Sequence, residues 1–214
     1  MLRQRLIERQ STTSGVKPPR GVEVTRIEAF SDAVFGFAIT LLVVSQQVPR
    51  SYEELLGTMR GFGAFACSFA VLFMFWKAQY DFFRDYGLND GFTIWVNAAL
   101  MFLVIFFIYP LKFLFTWVVN MFSGVPNVMP AANGRLVPVI DGSQIPGLMT
   151  IYGLGFSAVF LVFLFLHLHA YRCRASIGLS AYEAYRCVTR VLVYAVGVSL
   201  ALTSVAVASL GGPN

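Results

Sequence analysis

The sequence predicts an all-α protein, a polytopic bundle of membrane-spanning helices, and three observations carry that expectation. Only 13% of the 214 residues are charged while 57% are hydrophobic, and mean hydropathy is +0.68, far from the balance of a soluble domain. The apolar residues come in blocks of about twenty or more, enough for a helix to cross a bilayer. The phenylalanines also cluster, as between Phe102 and Tyr109, without the alternation that a membrane β-strand requires.

Residues 1–25 carry basic side chains but neither an apolar core nor a small-residue cleavage site, so they are expected to form a cytoplasmic N-terminal arm, not a removable signal. Residues 26–214 are expected to form one transmembrane domain with five clear spanning helices. The first runs from Arg26 to Val48, where Pro49 and Arg50 close it. Ser51 and Glu54 have capping-box spacing and open a second span over about Leu55 to Tyr80, with small residues from Ala64 to Ala70 and an interfacial Trp76. Asn89 is the expected cap of a third span, Gly91 to Val119, in which Pro110 should kink the helix or mark a stretch that outruns the membrane. Asn120 to Gly147 reads as a Gly- and Pro-rich loop. A fourth span, Leu148 to Tyr171, ends in His167 and His169, and Leu179 to Arg190 reads as a basic amphipathic connector to a fifth span, Val191 to Leu210.

Charge orients this layout. With the N-terminus cytoplasmic, Arg3, Arg5, Arg9, Lys17, Arg20, Arg26, Lys77, Arg84, Arg172, Arg174, Arg186 and Arg190 lie inside, and only Arg50, Arg60, Lys112 and Arg135 lie outside. Anionic inner-leaflet lipid accounts for the basic balance, and no nucleic-acid partner is expected. Cys67, Cys173 and Cys187 lack metal-ligand spacing, and His167 and His169, two residues apart, point to different faces of a helix.

The first helix is the most informative stretch. At 100° per residue, Phe30, Ala33, Phe37, Leu41 and Val44 share one apolar stripe with Thr40 on its flank, and Asp32 points away on a polar sector shared with Ser31. A carboxylate there needs donors from neighbouring helices, and Asn97, deep in the third span, is placed to reach Asp32 or Ser31, or to be satisfied within its own helix. Pattern alone leaves two readings of the stripe open, a packing seam or a pore lining.

Arg26-Ile27-Glu28-Ala29-Phe30-Ser31-Asp32, running into Phe35-Gly36-Phe37-Ala38-Ile39-Thr40-Leu41-Leu42, resembles the first-helix signature of the transmembrane protein 175 family of potassium channels. Phe75-Trp76, Trp95-Val96-Asn97 and Tyr109-Pro110 resemble further landmarks of that family. The resemblance implies a cation channel without a re-entrant filter loop, six spans per subunit, and a homotetramer whose first helices line a central pore in the cell membrane. Carried onto this sequence, it implies a constriction at Phe37, with Leu41 and Val44 forming further apolar rings, and an ion-selective threonine layer at Thr40. Arg26, Phe30, Ser31, Asp32, Trp76 and Asn97 become a network that holds the pore helix. No catalytic residue, cofactor or resident metal is implied, only potassium ions passing near Thr40. Gln79 stands where the family pattern has histidine, and Phe37 where a branched aliphatic residue is expected.

Other functional classes fit less of the chain. A secondary transporter would favour internal repeats and broken helices, and no repeat is visible. A membrane enzyme would want clustered acids and bases, whereas the histidines have no carboxylate near them in sequence. A non-conducting structural subunit remains compatible with the residues alone.

Overall fold

The computed structural model describes residues 23–46, 48–131 and 134–210, so most of the N-terminal arm lies outside the described residues. Helix α1 spans Arg26–Val44 and begins at a full capping box: the Thr25 hydroxyl accepts from the Glu28 N–H while the Glu28 carboxylate accepts from the Thr25 N–H. The expected second span divides in two. A short helix α2, Tyr52–Arg60, is capped by Ser51 and buries no residue, and the membrane-length helix α3 is Phe62–Tyr86. Gly61 separates them. Glu53, Glu54 and Arg60 make the α2 segment too polar for hydrocarbon, which displaces the span nearly two turns along the chain from the Leu55–Tyr80 expectation.

Helix α3 stops at Gly87, whose φ of 60° lies in the left-handed region that favours glycine. Asp90, not Asn89, caps the next helix, α4, Gly91–Phe122. Helix α4 runs without a break through Pro110 for 32 residues. The Tyr152 hydroxyl of a neighbouring helix donates to the Pro110 carbonyl, tying the two helices together at this point. The loop that follows contains a small antiparallel ribbon, β1 Val128–Pro130 against β2 Leu136–Pro138, with Met129 opposite Val137. Asn127 anchors this loop to the end of α4, donating to the Trp117 carbonyl at 3.0 Å. A short 3₁₀ turn, Gly142–Gln144, leads into α5, Ile145–Arg172. Helix α6 is Ala181–Leu210, so the predicted basic connector is the first part of the last helix itself. Ser180 and Glu183 exchange bonds of 3.3 and 2.7 Å at its start, enough to begin the helix well before the apolar run.

Five of these segments are long and apolar enough to cross a membrane; a sixth is not found among the described residues. Helix α1 packs against α3 and α4, α4 packs against α5, and α5 packs along α6. Phe35, Ala38 and Leu42 of α1 join Leu72, Leu100, Val104 and Ile108 in one continuous core. His167 is buried in the α5 core, its ring 5.1 to 5.6 Å from those of Phe82, Tyr86 and Tyr194, while its Nδ1 lies 2.8 Å from the Phe163 carbonyl. His169 turns the other way and meets Asp90 at 2.6 Å. The two histidines therefore serve different contacts, as their spacing predicts.

Close approach of α5 and α6 depends on glycine. A Cβ on Gly153 would stand 2.5 Å from Val205 Cγ2 and 3.2 Å from the Ala201 carbonyl oxygen, and one on Gly155 would overlap the Phe107 ring. Gly153→Val is therefore expected to force α5 and α6 apart and to cost roughly 1–3 kcal/mol, as overpacking does. Heat-induced loss of the monodisperse peak on size exclusion in detergent measures this.

Asp90 gives a pH-dependent contribution. Burial raises its carboxyl pKa, but hydrogen bonds from Thr93 and His169 outweigh that and hold it below the usual value. A carboxyl lowered in the fold stabilises above its unfolded pKa, and that contribution is lost as pH falls through the lowered value. Asp90→Ala is expected to reduce stability by about 1 kcal/mol at neutral pH through the lost cap. The gap to the unsubstituted protein should narrow only below about pH 4, as thermal melts across pH would register.

Candidate functional site

Polar contacts fasten α1 at three levels, all from its back. At its first turn Glu28, 6% exposed, pairs with Arg84 of α3 at 2.9 Å. One turn on, Ser31 donates to the Ile27 carbonyl at 2.8 Å and accepts from Asn97 Nδ2 of α4 at 2.8 Å. Asn97 Oδ1 in turn accepts from Gln79 Nε2 of α3 at 3.2 Å. Ser31, Gln79 and Asn97 are all fully buried, so each would carry a desolvation cost without its partners. Beside this chain Trp76 Nε1 donates to Asp32 Oδ1 at 2.7 Å, and the Trp76 ring packs on Phe73 and Tyr80. At the far end Lys112 of α4 donates to the Ser45 carbonyl at 2.9 Å and to the Ser45 hydroxyl at 2.7 Å.

The sequence-predicted network is thus partly assembled. Ser31, Asp32, Trp76 and Asn97 come together as expected, with Asn97 choosing Ser31. Arg26 and Phe30 stay exposed outside this cluster, and the arginine that pairs with a carboxylate of α1 is Arg84. Gln79 keeps the position of the expected histidine in the network by donating its amide to Asn97. Glu28, Arg84, Gln79 and Lys112 were not among the predicted site residues. Two signals could have found them: the Thr25-to-Glu28 capping spacing, which fixes Glu28 on the buried side, and the isolation of Lys112 as the one charge in α4.

The opposite face of α1 packs on no other element among the described residues. Phe37 is 55% exposed and Val44 70%, with Ala33 and Thr40 exposed between and beside them. Buried Ser31, Phe35, Ala38 and Leu42 centre the packed side so that its opposite runs through Ala33, Thr40 and Val44. Compared with the predicted stripe, Thr40 moves from the flank to the centre and Leu41 to the edge, half-buried against the core. The Thr40 hydroxyl donates its hydrogen to the Gly36 carbonyl at 2.9 Å, which leaves its oxygen lone pairs free to face a cation. Asp32 lies about 80° from Thr40 around the helix, bound to Trp76. Among the described residues no group of three or more His, Cys, Asp or Glu is placed to hold a metal ion. Cys67 is exposed, Cys173 half-buried and Cys187 buried, each as a free thiol.

Comparison with known proteins converges on one family. Residues 26–108 match the family described as endosomal/lysosomal potassium channel TMEM175. A protein of Marivirga tractuosa named "Potassium channel" is 38% identical over 177 residues, spanning 81% of this chain and 71% of the relative. A potassium channel of Chamaesiphon minutus is 33% identical over 113 residues, 49% of this chain and 56% of its own. Among solved structures, a variant of the potassium channel MtTMEM175, crystallised with a nanobody–MBP fusion, superposes with a TM-score of 0.79 at 33% identity, covering 91% of this chain and 85% of that one. The lysosomal potassium-selective channel TMEM175 homolog from Chamaesiphon minutus superposes with a TM-score of 0.54 at 26% identity, covering 86% and 89%.

Removing Asn97, the middle member of the buried chain, leaves the Gln79 amide without its partner and Ser31 with only its bond to the Ile27 carbonyl. Asn97→Ala is expected to cost roughly 1–3 kcal/mol for each buried group so stranded. Asp32→Ala should cost less, because Trp76 and the carboxylate lie near the surface of the chain. Melting of the purified variants, side by side, tests that order; equal losses would mean that burial does not rank the two contacts.

Proposed function

Because this chain belongs to the TMEM175 family and is a multi-pass membrane protein, we propose that it is a potassium channel of the cell membrane, a homotetramer in which α1 of each subunit lines a central pore. The observation that carries this reading is the two-sidedness of α1. Its back is bonded to α3 and α4 at three levels, and its front, through Ala33, Phe37, Thr40 and Val44, is exposed among the described residues. One helix face cannot enclose a conduit, but four related by rotation can. The N-terminus lies on the cytoplasmic side, where most of the basic residues gather.

Within such a pore, Phe37 is the narrowest ring and Val44 a second apolar ring about two turns further along, with Leu41 contributing from its edge position. Rings of this kind gate by excluding water. Thr40, between Phe37 and Val44, presents hydroxyl oxygens that partly replace the hydration shell of a potassium ion as it leaves the Phe37 ring. Arg26 and Phe30, exposed in the single chain, lie at the helix entrance and belong to contacts between subunits. Ser31, Asp32, Trp76 and Asn97 hold the helix and do not touch the ion. Potassium is the permeant species and no cofactor is required.

Phe37→Ala is expected to raise conductance several-fold and to lower the preference for potassium over sodium, because a wider throat admits hydrated ions. Potassium and sodium flux through the purified protein in liposomes, with bilayer recordings of the variant, test both effects. Unaltered currents would remove Phe37 from the constriction, and absence of flux from the unsubstituted protein would remove the channel reading.

A further inference from the structure

Helix α1 ends without a basic residue in its own last turn, and the carbonyls of that turn carry the partial negative charge of a helix C-terminus. Lys112 supplies what is missing. It is the one charged side chain in the 32 residues of α4, and an ammonium in such a run is retained only where it finds oxygen partners. Its Nζ donates to the carbonyl and the hydroxyl of Ser45, the residue that caps α1. The Ser45 hydroxyl passes the contact on, donating to the Leu42 carbonyl at 2.6 Å. The cation therefore sits on the end of the helix dipole.

The placement along the two helices is consistent with one rigid fastening. Asn97 meets Ser31 and Lys112 meets Ser45, intervals of fifteen residues on α4 and fourteen on α1, so the two helices run in the same direction with tethers about 21 Å apart. The first tether is neutral and the second is charged. A full positive charge on a helix end worth about half a negative charge more than cancels it, so the net potential at that end of α1 is positive.

We infer that Lys112 is a positioning residue that also tunes conduction: it fixes the C-terminal end of the pore helix and places a positive potential at that mouth, thinning the cations that gather there. This rests on the reading of α1 as the pore-lining helix. Val44, the last exposed apolar residue of the bare face, immediately precedes Ser45, so the ammonium lies within about one helix diameter, roughly 10 Å, of the permeation path. At that distance one unit charge in water shifts local ion occupancy about twofold.

The test compares Lys112→Gln, Lys112→Arg and Lys112→Met with the unsubstituted full chain in planar bilayers, at about 0.1 M and about 1 M potassium chloride, where the Debye length falls from roughly 10 to 3 Å. Lys112→Gln keeps a donor for Ser45 without the charge and is expected to conduct more at the lower salt, by about 1.3-fold for each charge removed once screening over roughly 10 Å is counted, with the difference gone at the higher. Lys112→Arg should match the unsubstituted protein in both. Lys112→Met loses bond and charge, and is expected to lose heat stability as well. A Lys112→Gln conductance equal to that of the unsubstituted protein at low salt, or a ratio that does not change with salt, overturns the electrostatic role. Equal melting of Lys112→Met and the unsubstituted protein overturns the positioning role. Silence of the unsubstituted protein itself would instead strike the pore reading on which both rest.

Discussion

The structure depends on a requirement of membrane helices: a polar side chain facing hydrocarbon or a packed core must find its hydrogen-bond partner inside the protein. Helix α1 carries Glu28, Ser31, Asp32 and Ser45 in or beside an otherwise apolar run, and each is answered by a specific donor from α3 or α4. A Leu or Val seam would let α1 rotate or slide at small cost, since lipid tails are as apolar as the seam. The Ser31–Asn97–Gln79 chain does not allow this. Shifting α1 by one residue would leave the buried Asn97 amide N–H without Ser31, and the partners of Glu28 and Asp32 displaced with it, a cost that no exchange of one apolar contact for another offsets.

That fastening decides what the rest of α1 can do. With Ser31, Phe35, Ala38 and Leu42 committed to the core, Ala33, Thr40 and Val44 must face away from it. The bare sector has small residues, Ala29, Ala33 and Gly36, on one side and Phe37 with Val44 on the other. The remaining helices act as a scaffold. Glycines at Gly153 and Gly155 let α5 lie close to α6 and Phe107, and the aromatic packing of Phe82, Tyr86, His167 and Tyr194 binds α3, α5 and α6 near the opposite end of the bundle from the Lys112 tether.

Similarity to TMEM175 channels covers most of the chain, and the variations within it are physically coherent. Gln79, where the resemblance leads one to expect histidine, offers an N–H to Asn97 from a group that does not titrate. The histidines the chain does possess are elsewhere: His167 is packed among aromatic rings and His169 meets the cap of α4. Lys112 adds a cation to the end of the helix whose start is already held by an acid–base pair, so α1 is electrostatically fastened at both termini.

By itself the sequence determined the class of protein, five membrane-length apolar runs and the polar face of the first helix, because hydrophobic length and the 100° turn of a helix are local properties of consecutive residues. It also marked Asn97 as a donor toward Asp32 or Ser31 and left the choice open, and the packing of α4 on α1 settled it on Ser31. Only the tertiary structure decided which side of α1 is bare, that Arg84 rather than Arg26 pairs with a carboxylate, that Leu41 is half withdrawn into the core, and that Lys112 reaches Ser45. Those outcomes turn on how α3 and α4 lie against α1, through contacts between residues more than fifty positions apart that no local pattern encodes.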